Sequence, residues 1–212
     1  MSQIQKRNMK KLLLTTAFVG LTAWQAHTTT ITFDDLPSPG VAPIPGGYNG
    51  LSWQNFFYLD ATLPSYASTG YFPGIVTANN VAFNAGGTPA VISDGVFSLN
   101  SAYFTAAWND NLQLTITGYL AGNPIYNNTY TLSATAPTLI NLNYLGVDSV
   151  NFNSFGGTPH PAYVSSGNGT QFAMDNVAVN VPEPTAWSLL GLGVIGFLAR
   201  AKIGTRISGR FA

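Results

Sequence analysis

The chain has 212 residues, with eight lysines and arginines, eight aspartates and glutamates, and no cysteine. The lack of cysteine excludes disulfides, zinc–thiolate sites and cysteine nucleophiles. All the lysines and arginines lie before residue 12 or after residue 199, so the body at 29–180 carries seven aspartates and no lysine or arginine. Such a body cannot neutralise phosphates, and we therefore expect neither nucleic acid nor anionic lipid as its partner.

Residues 1–28 have the pattern of a secretory signal peptide. Basic residues at the start are followed by the apolar run Leu12–Trp24 and then by small residues. A basic region, a short apolar region and small residues in this order are typical of a cleaved export signal. We predict a short hydrophobic helix here, with cleavage near Ala26 or Thr28 and Ala23 as an alternative.

The segment 29–180 has the pattern of a β-sheet domain. Residues 111–117, for example, alternate so that Leu112, Leu114 and Ile116 lie on one face of a strand. Short alternating runs and intervening turns predict nine or ten strands, at 29–34, 51–58, 75–83, 95–99, 102–108, 111–119, 124–133, 138–144, 147–153 and 171–179. Because no helical pattern separates these strands, we expect an all-β domain, an antiparallel β-sandwich or jelly roll.

Three stretches rich in glycine, proline and serine predict long loops, at Pro37–Gly50, Ala61–Gly74 and Gly156–Gly169. His160, the only histidine between residues 28 and 212, lies in the third loop, outside any hydrolase motif. We therefore expect a protein that is not an enzyme. A glycoside hydrolase that uses two aspartates across a cleft is a less favoured alternative.

Asp34, Asp35 and Asp175 are candidate metal ligands, because they lie in or beside the first and last predicted strands. The apolar positions change parity at Asp175-Asn176, which predicts a β-bulge there. First and last strands of a jelly roll are commonly neighbours, so the three carboxylates could meet at one sheet edge. Oxygen ligands of this kind suit Ca²⁺ rather than zinc. The alternative is that these aspartates are turn and bulge residues.

Trp53, Tyr58 and Trp108 are candidate platforms on which sugar rings could stack. The first two lie in an aromatic cluster with Phe56 and Phe57, and Trp108 precedes an Asn-Asp-Asn turn. An exposed aromatic pair would indicate a carbohydrate-binding module with structural Ca²⁺. Aromatic side chains more commonly fill a core, since they bury the largest apolar area, so the core interpretation stands beside this one.

The last segment, 181–212, has three parts in a fixed order. Val181 leads into the rigid tripeptide Pro182-Glu183-Pro184, and the apolar run Thr185–Ala199 follows. A helix over this run would be roughly 22 Å long, shorter than the roughly 30 Å hydrocarbon core of a bilayer. We predict a short hydrophobic anchor whose basic tail stays in the cytoplasm, formed by Arg200, Lys202, Arg206 and Arg210.

This order of parts resembles the PEP-CTERM sorting signal of Gram-negative envelope proteins, which an exosortase, a membrane transpeptidase-like enzyme, recognises near the Pro-Glu-Pro. The body is also similar to the bodies of many such proteins, at Ile31–Leu36, Gly47–Trp53 and Phe172–Val177. The resemblance implies a β-sandwich, an exosortase-type enzyme as partner, and a destination in the cell envelope or extracellular matrix.

We therefore predict a secreted, non-catalytic protein with a structural or adhesive role, transiently anchored in the membrane by its C-terminal helix. Extracellular polysaccharide is a candidate partner of the body. The alternative hypothesis is a carbohydrate-binding module with aromatic platforms.

Overall fold

Alternation of apolar and small polar residues produces twelve β-strands in the computed structural model, which describes residues 27–37 and 40–181. The strands are β1 (His27–Ile31), β2 (Val41–Pro43), β3 (Ser52–Gln54), β4 (Phe56–Asp60), β5 (Asn80–Asn84), β6 (Ala90–Ala106), β7 (Asn109–Asp110), β8 (Leu112–Leu120), β9 (Asn123–Leu132), β10 (Thr138–Phe155), β11 (Thr158–Pro159) and β12 (Phe172–Val181). Single 3₁₀ turns occur at Tyr48–Gly50, Pro64–Tyr66 and Ala85–Gly87. The predicted all-β fold is confirmed, while the two predicted terminal helices lie outside the described residues.

Every strand pair is antiparallel. The hydrogen-bonded order is β2-β4-β5-β12-β6-β10-β8-β9, with β1 added on β12, β3 added on β6, and a separate ribbon of β7 and β11. The first and last strands pair from His27 with Val181 to Ile31 with Val177, as the sequence predicts. The predicted bulge is also confirmed, because the register between β12 and β6 shifts between Asp175 and Ala178.

Two long strands, β6 and β10, are shared by both layers of the sandwich. Their register breaks between the pairs Ser93–Ser149 and Phe97–Val147, where residues 94–96 of β6 are exposed. The first layer consists of β3, the first part of β6, the second part of β10, β8 and β9. The second layer contains the remaining parts of β10 and β6, followed by β12, β1, β5, β4 and β2.

Aromatic rings from both layers meet in the core. Phe152 of the first layer lies with its ring centroid 6.2 Å from that of Phe104 and 6.1 Å from that of Phe172, both in the second layer. Phe56 packs edge-on against Phe152 with a centroid distance of 5.4 Å. Residues 27–181 form one compact unit, and this buried core stabilises it without disulfides.

Several predicted boundaries are wrong, for identifiable reasons. The predicted strand 95–99 and residues 102–106 of the predicted strand 102–108 are parts of one strand, β6, which ends at Ala106. The predicted strands 138–144 and 147–153 are parts of β10, because strands can continue through bulges. The predicted loop Pro37–Gly50 contains the short strand β2, which pairs with β4. The predicted strand 51–58 is broken at Asn55, where φ is 59°.

Candidate functional site

Asp175 is a buried structural carboxylate. Its side chain has 0% exposure. Its Oδ2 accepts hydrogen bonds from the amides of Val76 (2.8 Å) and Thr77 (3.0 Å), and its Oδ1 accepts one from Asn176 (2.7 Å). Burial raises the pKa of Asp175, although the three amide donors oppose this shift. The carboxylate therefore fixes the segment before β5 against β12.

Asp34 holds the same segment from the other side. Its Oδ1 accepts hydrogen bonds from the amides of Asn79 at 3.1 Å and Asn80 at 3.0 Å, and the neighbouring Asp35 accepts one from the Tyr48 hydroxyl. Asp34 and Asp175 therefore hold the residues before β5. The strand predicted at 75–83 begins only at Asn80.

The three predicted calcium ligands thus have other hydrogen-bond partners. Asp34 lies close enough to Asp175 to raise its pKa further, so the chain does bring these two carboxylates near each other. Within residues 27–37 and 40–181, however, no group of three or more acidic or histidine side chains is placed to hold a metal ion. Calcium binding stays a prediction that this geometry does not support.

The stacking prediction is wrong for Trp53 and Tyr58. Their exposed fractions are 6% and 3%, so neither ring can present a face to a sugar. The indole N–H of Trp53 donates to the Tyr48 carbonyl at 2.9 Å, and its ring packs edge-on against Phe56. The break at Asn55 is the physical reason, because it turns residues on both sides of it towards the core.

Trp108 is half-buried beneath the loop that follows β11. A Cβ built on Gly167 would lie 2.7 Å from the indole ring, so the backbone of this loop covers one side of Trp108. Its ring also contacts Tyr71 edge-on, with the centroids 5.8 Å apart. Stacking on Trp108 therefore stays a prediction, which this partial covering by a loop 59 positions further along the chain (Gly167 less Trp108) does not support.

A side-chain hydrogen bond joins β7 to the residue after β11. His160 Nδ1 lies 2.7 Å from Asp110 Oδ2, and the His160 backbone N–H donates to the Trp108 carbonyl at 2.9 Å. The His160 ring also packs on Tyr163, with the ring centroids 4.4 Å apart. The contact holds the third predicted loop in place, and no local sequence signal could have predicted it.

An open groove of about 380 Å³ lies beside this hydrogen bond. Its lining is polar except for one leucine, and consists of Asp110, Asn111, Thr131, Leu132, Ser133 and Thr138. Hydroxyl, amide and carboxylate groups of this kind suit a polar ligand. The groove continues into the outer surface of the first layer, because Thr131 belongs to both.

The outer surface of the first layer presents a set of uncharged residues, which we call the open face, with Asp94 and Asp148 next to it on β6 and β10. It consists of the outward residues of five strands, all of them exposed or half-exposed: Ser52, Gln54, Val91, Ser93, Gln113, Thr115, Thr117, Tyr119, Asn127, Thr129, Thr131, Ser149, Asn151, Asn153 and Phe155. The intervening residues, such as Leu114 and Phe152, are buried in the core. Strand alternation therefore separates an apolar inner side from an uncharged polar outer side. Sequence analysis found the alternation but did not identify this surface.

Side chains of the open face are ordered in cross-strand rows. The hydroxyl oxygens of Thr115 and Thr129 lie 2.7 Å apart, and the Gln113 amide donates to the Thr131 hydroxyl at 3.1 Å. Neighbouring strands of a sheet are about 4.8 Å apart, so each row is a regular array of donors and acceptors.

The strand β12 ends directly before the Pro-Glu-Pro tripeptide. Its last residue, Val181, pairs with His27 of β1, and Asn180 pairs with Thr28. The predicted sorting tripeptide and the basic tail lie outside the described residues. Among the residues that are described, no helix is long and apolar enough to cross a membrane.

Three solved structures are similar to this chain. A DUF4465 family protein from Bacteroides caccae has 11% identity and a TM-score of 0.53, over 74% of this chain and 100% of that chain. TmCBM61 in complex with beta-1,4-galactotriose has 10% identity and a TM-score of 0.33, over 66% of this chain and 95% of that chain. CBM51 from Clostridium perfringens GH95 in complex with methyl-galactose has 8% identity and a TM-score of 0.30, over 72% of this chain and 100% of that chain. The first likeness shows the fold alone, and the other two carry no argument about function.

Comparison with curated proteins finds no match to the sequence. Residues 180–202 match the family described as the PEP-CTERM protein-sorting motif. The match begins inside β12 and runs through the apolar segment to Lys202. The chain therefore carries a PEP-CTERM protein-sorting motif, consistent with a secreted, transiently membrane-anchored substrate of an exosortase.

Proposed function

We propose that this protein is a non-catalytic adhesive component of the cell envelope or extracellular matrix, and that it binds neutral polysaccharide through the open face. The sorting motif accounts for the destination. The observation that carries the adhesive role is the open face itself, which exposes ordered hydroxyl and amide groups and no charge on five adjacent strands.

The charge distribution supports a neutral ligand. The body has seven aspartates (the eight acidic residues less Glu183) and no lysine or arginine, so an acidic polysaccharide would be repelled. None of these aspartates is among the residues of the open face. A polymer that offers hydroxyl groups without charge is the complementary partner.

The positions of the titratable groups support a role without catalysis. Asp175 and Asp34 accept backbone hydrogen bonds, and His160 is paired with Asp110 in a structural contact. A general acid or base must reach a reacting group across a cleft. In the described part of the chain these side chains instead connect one segment of the protein to another.

The test is a binding assay on residues 27–181 with a panel of neutral glucans, mannans and galactans, and with an acidic polysaccharide as negative control. Thr115→Ala with Asn153→Ala removes two cross-strand neighbours of the open face. The matched control, Ser65→Ala with Ser68→Ala, removes two exposed hydroxyls from the loop after β4. Each lost hydrogen bond costs about 0.5–1.5 kcal/mol, so we expect roughly fivefold or more weaker binding for the first variant only.

Two outcomes would overturn the proposal. One is the absence of binding to every neutral polymer of the panel at high protein concentration. The other is equal weakening by both variants, which would place the contact away from the open face.

A further inference from the structure

The strand β9 presents a long open edge at the side of the first layer. It is the last strand in the hydrogen-bonded order, and within the described residues it pairs only with β8. Its ten residues span about 33 Å. The backbone N–H and C=O groups that point away from β8 are therefore available to another strand.

Other strand edges of the described sandwich are short or interrupted. The edge strands β1, β2 and β3 have five, three and three residues. The first part of β10 forms a longer edge, but its register with β6 shifts twice between Asn141 and Val147, and Asn143 has a φ of 51°. Bulges of this kind protect an edge from pairing with another chain.

Most of the β9 edge lacks such protection. The register with β8 shifts once, at Ile125, and is unbroken over the seven residues from Tyr126, opposite Gly118, to Leu132, opposite Leu112. The strand has no charged residue, and its only proline, Pro124, lies near one end. Inward-pointing charges, lysines and bulges are the usual means by which natural proteins keep an edge unpaired.

We propose that the β9 edges of two copies of this chain pair antiparallel about a two-fold axis. Antiparallel pairing places the same strand on both sides of the interface, so the surface must be complementary to itself. The neutral edge meets this condition, whereas the body as a whole carries only acidic charges and would repel a second copy elsewhere. The first layers of the two copies then join into one sheet, and their open faces become continuous.

The association is expected to be weak and dependent on concentration. One strand edge contributes main-chain hydrogen bonds but buries less area than a standard interface. Molecules confined to an envelope or matrix would meet at high local concentration, which favours such an interface. The inference concerns self-association alone, and it stands whether or not the open face binds polysaccharide.

The experiment uses sedimentation velocity of residues 27–181 over a wide concentration range. The edge variant Asn127→Lys with Thr129→Lys adds two positive charges to each β9 strand. The control variant Thr117→Lys with Thr115→Lys adds the same charges to their cross-strand partners on β8. Across the two-fold axis the β9 strands would be about 5 Å apart and the β8 strands about 14 Å apart, beyond the roughly 8 Å screening length at physiological salt.

We expect concentration-dependent dimers for the unmodified protein and the control variant, and monomers for the edge variant, with thermal unfolding confirming that both variants fold. Hydrogen exchange on the unmodified protein gives an independent measurement, in which β9 amides become more protected as the concentration rises. A monomer at every concentration without any change in β9 protection would overturn the inference. Equal loss of dimers in both variants would also overturn it, because the contact would then involve the open face instead of the edge.

Discussion

The two outer surfaces of the sandwich differ in what covers them. On the second layer, outward residues such as Leu59, Val81 and Phe83 are buried beneath the loop after β4, whose Tyr71 packs edge-on against Phe83 with a centroid distance of 5.4 Å. On the first layer the outward residues are uncharged, mostly polar and uncovered. Apolar outward residues therefore stabilise the fold where a loop covers the sheet. The polar residues of the open face are therefore available for binding.

The largest expected effect is on the covered surface. Tyr71→Ala should destabilise the protein by about 3 kcal/mol, because it removes a buried ring that contacts Phe83, Trp108 and Tyr66. Phe155→Ala is the matched control on the open face, where the ring is 47% exposed, and it should cost less than about 0.5 kcal/mol. Urea denaturation measures both values. Similar costs for the two variants would contradict the distinction between the surfaces.

The next effect concerns carboxylates that brace the fold. Asp175→Ala leaves the amides of Val76, Thr77 and Asn176 without their acceptor, and we expect a loss of about 2–3 kcal/mol. Asp148→Ala is the control, since its carboxylate accepts one exposed amide, that of Ala121, at 2.6 Å. The control should cost less than about 1 kcal/mol. Equal denaturation midpoints for the two variants would show that Asp175 does not hold the residues before β5 in place.

The pH dependence of stability follows from the buried carboxyl. Burial raises the pKa of Asp175 in the folded state, so the folded protein keeps this proton at pH values where the unfolded chain has lost it. Its contribution to stability is therefore fully present below the ordinary aspartate pKa of about 3.9, and is lost as the pH rises through the raised value. Melting temperatures between pH 4 and 7 should fall by less in Asp175→Asn than in the unmodified protein. If the melting temperature falls equally with pH in both proteins, the pH dependence of stability arises from other groups.

Calcium is expected to have the smallest effect. The oxygens of Asp175 accept backbone hydrogen bonds, and no acidic cluster in the described ranges is placed to hold a metal ion. Because a ligand that binds only the folded state must raise the melting temperature, we expect the same thermal curve with excess Ca²⁺ and with chelator. A calcium-dependent rise that disappears in Asp175→Asn would instead establish the site predicted from the sequence.

Short-range patterns predicted much of this fold. Alternation identified the inward residues Leu112, Leu114 and Ile116, and the parity change at Asp175-Asn176 identified the bulge. These signals are local, because the side chains of a strand alternate between its two sides.

The candidate site could be predicted only in part, since its features depend on contacts between distant segments. The pairing of Asp110 with His160 and the covering of Trp108 by Gly167 join positions about fifty or more residues apart. The burial of both Trp53 and Tyr58 depends on a left-handed residue at Asn55, which interrupts the alternation that a regular strand would follow. The uncharged rows of the open face could be recognised only once the register of its five strands was known.

The central claim is that the open face binds neutral polysaccharide, and an amide chemical-shift map of residues 27–181 tests it most directly. On addition of a neutral polysaccharide, we expect chemical-shift changes to concentrate on β8, β9 and the second part of β10. Residues of the covered surface around Tyr71 and Phe83 should be unaffected. Changes centred on that surface, or no change with any neutral polymer, would show that the open face does not bind neutral polysaccharide.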